Sequence, residues 1–400
     1  MKYKILTVLL LLAALSSGCG DNNKMKESNG GLKTAAETEL EERTESTAET
    51  GTDVGTEPES GVETESDAGM ESGEEPVDYD MYERESESGK VAFNCKIEAP
   101  DPSIKTARRL RVAGECYGDT ESILSKYVEG KTVVDEYEEP AHNGIPDEIY
   151  YTMEDESYIS VGYHFSYSSG MSKYYNYIGA ANSENQEEYS NSGQVSFASQ
   201  EDAVKAVEQE LADIGFTEFD FQFQAYPVNH ETMKKMEERY IDEGIIIEEK
   251  KKDAWTQEDD AYVVYGYQAN DGLPVFHQWM TVYREWAYDN VDNAVVTAIY
   301  SDRGIEMLIM ESVYRFEDTG EELSLKEFDE IAGIVEDKFE NILNDAHYVV
   351  ERAKLFQMVR MDDNQELMSE PIWYFEVVED GNSRSITLVN AVTGKEIFLK

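Results

Sequence analysis

Apolar residues alternate with polar ones at Val91, Phe93, Cys95, Ile97 and Ala99, the period of a half-buried strand. Leu110, Val112 and Ala113 suggest a second short strand, and 122–128 a short helix. The alternation returns at Ile159, Val161, Tyr163, Phe165 and Tyr167. After a break at 168–171 it resumes in 174–178, so the pattern predicts an antiparallel hairpin with an aromatic face. A polar stretch, 182–193, reads as a loop.

From Ser199 the period changes. Ala203, Val204, Val207, Leu211 and Ile214 share one helical face, behind Ser199-Gln-Glu-Asp202, a capping-box-like start, and ahead of Gly215, a suitable stop. Phe219, Phe221 and Phe223 predict a strand. The charged helical stretch 230–243 and the polar segment 248–260 look like an insertion. Strands follow at 261–269 and 275–283 across Asn270-Asp-Gly-Leu-Pro274, and at 295–300 and 305–310 across Ser301-Asp-Arg-Gly304. A third unit opens at Ser324. Phe328, Ile331, Val335, Phe339, Ile342 and Leu343 mark its helix, followed by strands at 349–361, 372–378, 385–389 and 395–399.

The second and third units share one order: helix, strand, strand, turn, strand, glycine turn, strand. Residues 296–306 lie over 386–396 without a gap, matching Thr297 to Thr387, Gly304 to Gly394 and Glu306 to Glu396. Such turn punctuation suits a duplication and equally suits two unrelated hairpins. The closing run Asn390-Ala-Val-Thr-Gly-Lys-Glu-Ile397 resembles the tail of PepSY-like modules, in which a Thr-Gly-Lys turn and a last strand close a helix-packed sheet. The layout also resembles uncharacterised lipoproteins of Gram-positive anaerobes. The resemblance implies an extracytoplasmic binding or regulatory role and no particular chemistry.

The amino terminus sets the compartment. Lys2 and Lys4 precede an apolar run from Ile5 to Leu15, and small residues lead into Cys19. These are the parts of a secretory signal, and the run is shorter than the roughly 20 apolar residues of a membrane span. Ser17-Gly-Cys19 resembles the site of bacterial lipoprotein signals, whose cysteine is diacylated and becomes residue one; Ser16 stands where leucine is preferred. The expected location is therefore the extracytoplasmic face of the cell membrane, with a lipid anchor at Cys19.

Composition changes sharply between Gly20 and Gly89, where Glu, Ser, Thr and Gly dominate and no aromatic residue precedes Tyr79. Such a segment cannot bury enough apolar surface to order itself and predicts a disordered acidic tether. The whole chain carries 85 acids against 34 Lys and Arg, a formal charge of −51. That excludes nucleic acid as a natural partner, since phosphates would be repelled.

Candidate chemistry is sparse. His142, His164, His230, His277 and His347 are scattered, without the close spacing of a zinc site, and no cofactor or phosphate-loop motif is present. Neither Gly-x-Ser-x-Gly nor another nucleophile signature occurs. Cys95 and Cys116 could close a disulfide or remain reduced, and the sequence leaves both open. Acid pairs such as Asp259-Asp260 and Asp362-Asp363 suit a solvated face in so acidic a chain. A glycosidase pair could sit among them, with Trp255, Trp279, Tyr283, Trp286 and Tyr288 near to stack on sugars, although core packing is the commoner use. Gly144-Ile-Pro146 and Gly272-Leu-Pro274 read as a shared turn.

The expected organisation is α+β: a signal peptide at 1–18, a tether at 19–89, a β-rich unit at 90–198, and two helix-plus-antiparallel-sheet modules at 199–320 and 321–400. The expected function is a non-enzymatic surface lipoprotein that docks another envelope protein or a peptide. The rivals are a solute-binding lipoprotein of a transporter, which calls for alternating βα units, and a glycan-active hydrolase, which calls for two carboxylates facing across a cleft.

Overall fold

A computed structural model describes residues 81–100, 104–141, 147–181, 189, 192–277, 294–362 and 364–398. The signal-like segment, Cys19, the tether to residue 80, His142, residues 144–146, Trp279, Tyr283, Trp286, Tyr288 and Asp363 lie outside the described residues.

The fold is α+β, built on two mainly antiparallel ladders that meet at one strand. Along the first run β4 (Val133–Glu139), β5 (Glu148–Met153), β6 (Tyr158–Val161), β7 (Phe165–Ser168), β12 (Gly304–Met310), β11 (Val296–Ser301), β9 (Ala261–Asn270) and β8 (Asp220–Val228), each antiparallel to the next. The second holds β1 (Met81–Glu85), β2 (Val91–Glu98), β14 (Tyr348–Met361), β15 (Leu367–Glu379), β16 (Ser383–Asn390) and β17 (Glu396–Ile397). β10 (Leu273–Phe276) joins them: its first residues complete a turn with β9, and its last pair in parallel with Gln357 and Met358 of β14. A long ribbon of β3 (Thr106–Cys116) and β13 (Val313–Ser324) attaches to β15 through Arg111 and Met368.

Helices cover the ladders. α1 (Thr120–Tyr127) and α3 (Gln200–Asp213) seal the inner face of the first ladder, where Ile123, Tyr127, Ala203, Val207 and Leu211 meet Val161, Phe165, Val264 and Ala298. Each fully buried aliphatic chain there contributes about 1.5–3 kcal/mol. α2 (Ser172–Tyr177) and α4 (His230–Asp242) cover the outer face near β9, β11 and β12, with Tyr175, Met233 and Met236 against Val263, Ile299 and Met307. α5 (Phe328–Glu340) packs Ile331, Val335 and Phe339 on the second ladder.

The expected capping box forms in full at Ser199 and Asp202, and Gly215 follows the helix with φ +100°. The two helix-plus-sheet runs share one ladder order: β8–β9–β11–β12 behind α3, and β14–β15–β16–β17 behind α5. The matched Glu306 and Glu396 each hold a cation, Arg303 at 2.6 Å and Lys338 at 2.5 Å.

Two expectations change, and two others gain detail. Residues 81–89, inside the stretch read as tether, already belong to the fold, because β1 pairs with β2 and anchors Tyr82 and Arg84 on α5 through Asp329 and Glu336. Residues 174–178 do not form a strand. The hairpin is β6–β7, broken at 162–164, and Ser172–Tyr177 is a helix that drives Tyr175 into the core, where its hydroxyl reaches the carbonyl of Asp259. Within 90–198, β4 to β7 pair in sequence, and the strands also join later ones: β7 pairs with β12, β2 with β14 and β3 with β13. Cys95 and Cys116 are free thiols in different surroundings. Cys95 is buried under α5, where burial pushes its thiol up to about 12, and Cys116 packs against the core beneath α1 and α3.

Candidate docking surface

β4 owes its conformation to its neighbour. Four of its seven residues are acids, and pairing with β5 through Tyr137–Tyr150 and Glu139–Glu148 holds it extended. Its other side pairs with no strand among the described residues, and six of its seven residues are exposed. Side chains alternate across it. Tyr137 and Glu139 point to the outer face with Tyr150 and Glu148, whereas Glu136 and Glu138 lie opposite Tyr151 and Ile149.

The outer face carries a row of tyrosines. Tyr137 and Tyr150 stack with ring centres 5.8 Å apart, and Tyr150 lies 6.2 Å from Tyr158. Tyr137 is 57% exposed. The Tyr150 hydroxyl donates to Glu148 Oε2 at 2.8 Å and lies 3.4 Å from Glu139 Oε2. Burial first, and then the bond to Glu148, holds this phenol well above its ordinary pKa. Burial and the same carboxylate raise Tyr158 too.

Below the row, Glu148 is 5% exposed. Its Oε1 lies 3.1 Å from His164 Nδ1 but off the line of a hydrogen bond. His164 Nε2 lies 3.3 Å from Ser160 Oγ, which is 2.8 Å from Ser166 Oγ. Carboxylate, imidazole and hydroxyl in this order resemble an acid–base–nucleophile relay. Ser160 is only 1% exposed, however, so the trio forms a rigid polar floor with its hydroxyl closed to solvent. Gly162 lets this floor close: a Cβ there would stand 2.3 Å from the Asp147 carbonyl oxygen.

The other sequence candidates do not converge. His230 Nδ1 bonds Asp260 at 2.7 Å, His277 is buried and stacks on Tyr314, and His347 Nδ1 faces the Gly89 carbonyl at 3.1 Å. Asp259 and Asp260 form no solvated face. Both are buried, Asp259 against Lys252 at 2.9 Å and Asp260 against His230. Asp362 accepts from the backbone N–H groups of Asn364 and Glu366 in its own turn. Trp255 packs beside Tyr175. Among the described residues, no group of three His, Cys, Asp or Glu is placed to hold a metal ion, and no helix is long and apolar enough to cross a membrane.

Sequence reasoning missed β4 and β5, yet a signal was there. No Lys or Arg stands between Lys131 and Lys173, although nine acids do.

No known protein family and no curated protein matches the chain. Among solved structures, an uncharacterised protein from Eubacterium rectale shares the fold, with a TM-score of 0.54 and 15% identity over 78% of this chain and 91% of that one. The YpeB C-terminal domain of Bacillus megaterium aligns at a TM-score of 0.29 and 11% identity, over 69% of this chain and 92% of that one, a likeness too slight to carry an argument.

Proposed function

We propose that this protein is a lipid-anchored, extracytoplasmic binding protein of non-enzymatic type that docks an extended segment of a protein partner on the β4 edge. The observation that carries the reading is β4 itself, exposed over six of its seven residues and paired on one side. Such an edge presents unpaired backbone N–H and C=O groups, and adding a strand satisfies them. The PepSY-like reading of 321–400 agrees with a regulatory or binding role, and the signal-like start at Cys19 with the membrane surface. The solute-binding rival fits less well, because its fold needs alternating βα units, whereas here helices precede antiparallel runs.

A photoreactive phenylalanine in place of Tyr137, introduced in intact cells, tests the docking. One reproducible envelope partner captured there, and not from the fully exposed position of Leu343, supports it. Equal capture from both positions, or none from 137, defeats it. Cys19→Ala in the same cells is expected to release the protein into the medium; retention at the membrane would defeat the anchor.

A further inference from the structure

The charges around β4 identify the chemistry of its occupant. The acids of the other exposed ribbon are largely neutralised within the molecule. On the β3–β13 ribbon, Glu317 pairs with Arg111, Asp318 with Arg108 and Glu321 with Arg109. On β4, Asp135, Glu136 and Glu138 have no cation among the described residues. The nearest lysine along the chain, Lys131, is committed to Asp155 at 3.2 Å and Ser157 at 3.0 Å.

Charges are a common way to blunt an exposed strand edge. Blunting does not account for the apolar surface left in place: Val134 is 59% exposed and Tyr137 57%. Nor does it account for Glu148, nine-tenths buried behind the tyrosine row, whose Oε1 accepts no hydrogen bond.

Resting on the docking reading above, we infer that the β4 edge takes a cationic, extended polypeptide segment, with Lys or Arg alternating with apolar residues. A strand added beside β4 would place its side chains about 4.5–5.5 Å from those of β4. Cations on one face of that strand meet Asp135 and Glu139 and lie over the Tyr137 ring, where charge and the ring face both attract them. Those on the other face meet Glu136 and Glu138. The neutralisation that β13 receives from β3 is here supplied by the partner.

The test uses the full chain with a photoreactive phenylalanine at Val134 and three synthetic peptides as long as β4. One alternates Lys and Val, one alternates Glu and Val, and one is the Lys–Val peptide with a central proline that breaks strand pairing. Affinity is read by calorimetry and location by cross-linking. The Lys–Val peptide is expected to cross-link at 134 and bind at least about tenfold more tightly than the other two. Its affinity should fall as salt rises from about 0.01 to about 1 M, where screening shortens from about 30 to about 3 Å. The combined change Asp135→Lys, Glu136→Lys and Glu138→Lys should reverse the order of the Lys–Val and Glu–Val peptides, with unchanged thermal unfolding showing that the fold survives.

If the two alternating peptides cross-link at 134 with equal affinity, the cationic inference fails and edge docking stands. If the proline peptide binds as well as its parent, the occupant is not a strand and the inference fails. If none cross-links at 134, or Lys–Val binding survives the triple change, the attraction belongs to the acidic chain at large and both readings fall.

Discussion

Two ribbons project acidic residues into solvent, and they differ in how those charges are met. β3–β13 carries Arg108, Arg109 and Arg111 against Asp318, Glu321 and Glu317, so each strand neutralises the other. β4–β5 has acids on both strands and no cation. The first ribbon is largely neutralised within itself; the second leaves one backbone edge without a strand, and Asp135, Glu136 and Glu138 without a cation, among the described residues. Exposure and acidity are therefore poor guides to a docking surface by themselves. The informative feature is the missing internal counter-charge.

The largest effect that would sharpen this contrast lies at the root of the self-neutralised ribbon. His277 stacks on Tyr314, next to Arg315, with ring centres 4.9 Å apart, and burial pushes its pKa down to about 3. In the unfolded chain the ring takes a proton near pH 6.5. The stability tied to the neutral ring is thus complete above about 6.5 and is lost as pH falls towards 3. Between about pH 7 and pH 4 this loss amounts to about 3 kcal/mol. His277→Phe should remove that part of the pH slope in urea unfolding. An unchanged slope would place the acid sensitivity elsewhere.

A smaller effect tests the ribbon itself. Replacing Arg108, Arg109 and Arg111 by Ala leaves the acids of β13 without partners. Exposed pairs contribute little, so the expected change is a drop of about 2 °C in the unfolding midpoint at low salt, shrinking as salt is added. No drop at low salt would mean that the ribbon does not depend on its cations, and the contrast with β4 would lose its basis.

The smallest effect belongs to β4. The Asp135, Glu136 and Glu138 to Lys change alters as many residues, yet the expected midpoint shift is within about 1 °C, because no internal pair is broken. A large loss of stability would reveal internal partners for these acids and undo the comparison.

Much of the helical part was legible in the sequence. The capping box at Ser199, the apolar stripe through Val207 and Leu211, and the glycine turns at 304 and 394 each rest on local chemistry, and each is found in place. The proposed docking surface was not legible. Val133-Val-Asp-Glu-Tyr-Glu-Glu139 has the composition of a linker, and only its register with β5 makes it a strand. β13 escaped notice for a similar reason, since its acids meet arginines more than 200 positions earlier. The 174–178 tyrosines misled because a short aromatic run suits either period; the deciding contact is the hydrogen bond from Arg303 to Tyr175.

The sequence by itself determined the α+β class, the three main amphipathic segments and the hairpin turns, because caps, periodicity and turn residues act over a few positions. The expected surface location rests on local residues too, in the run that leads to Cys19. Only the tertiary structure decided which acids are neutralised. Ion pairing between strands depends on neighbours brought together across the fold, and those distances are not written in any local pattern.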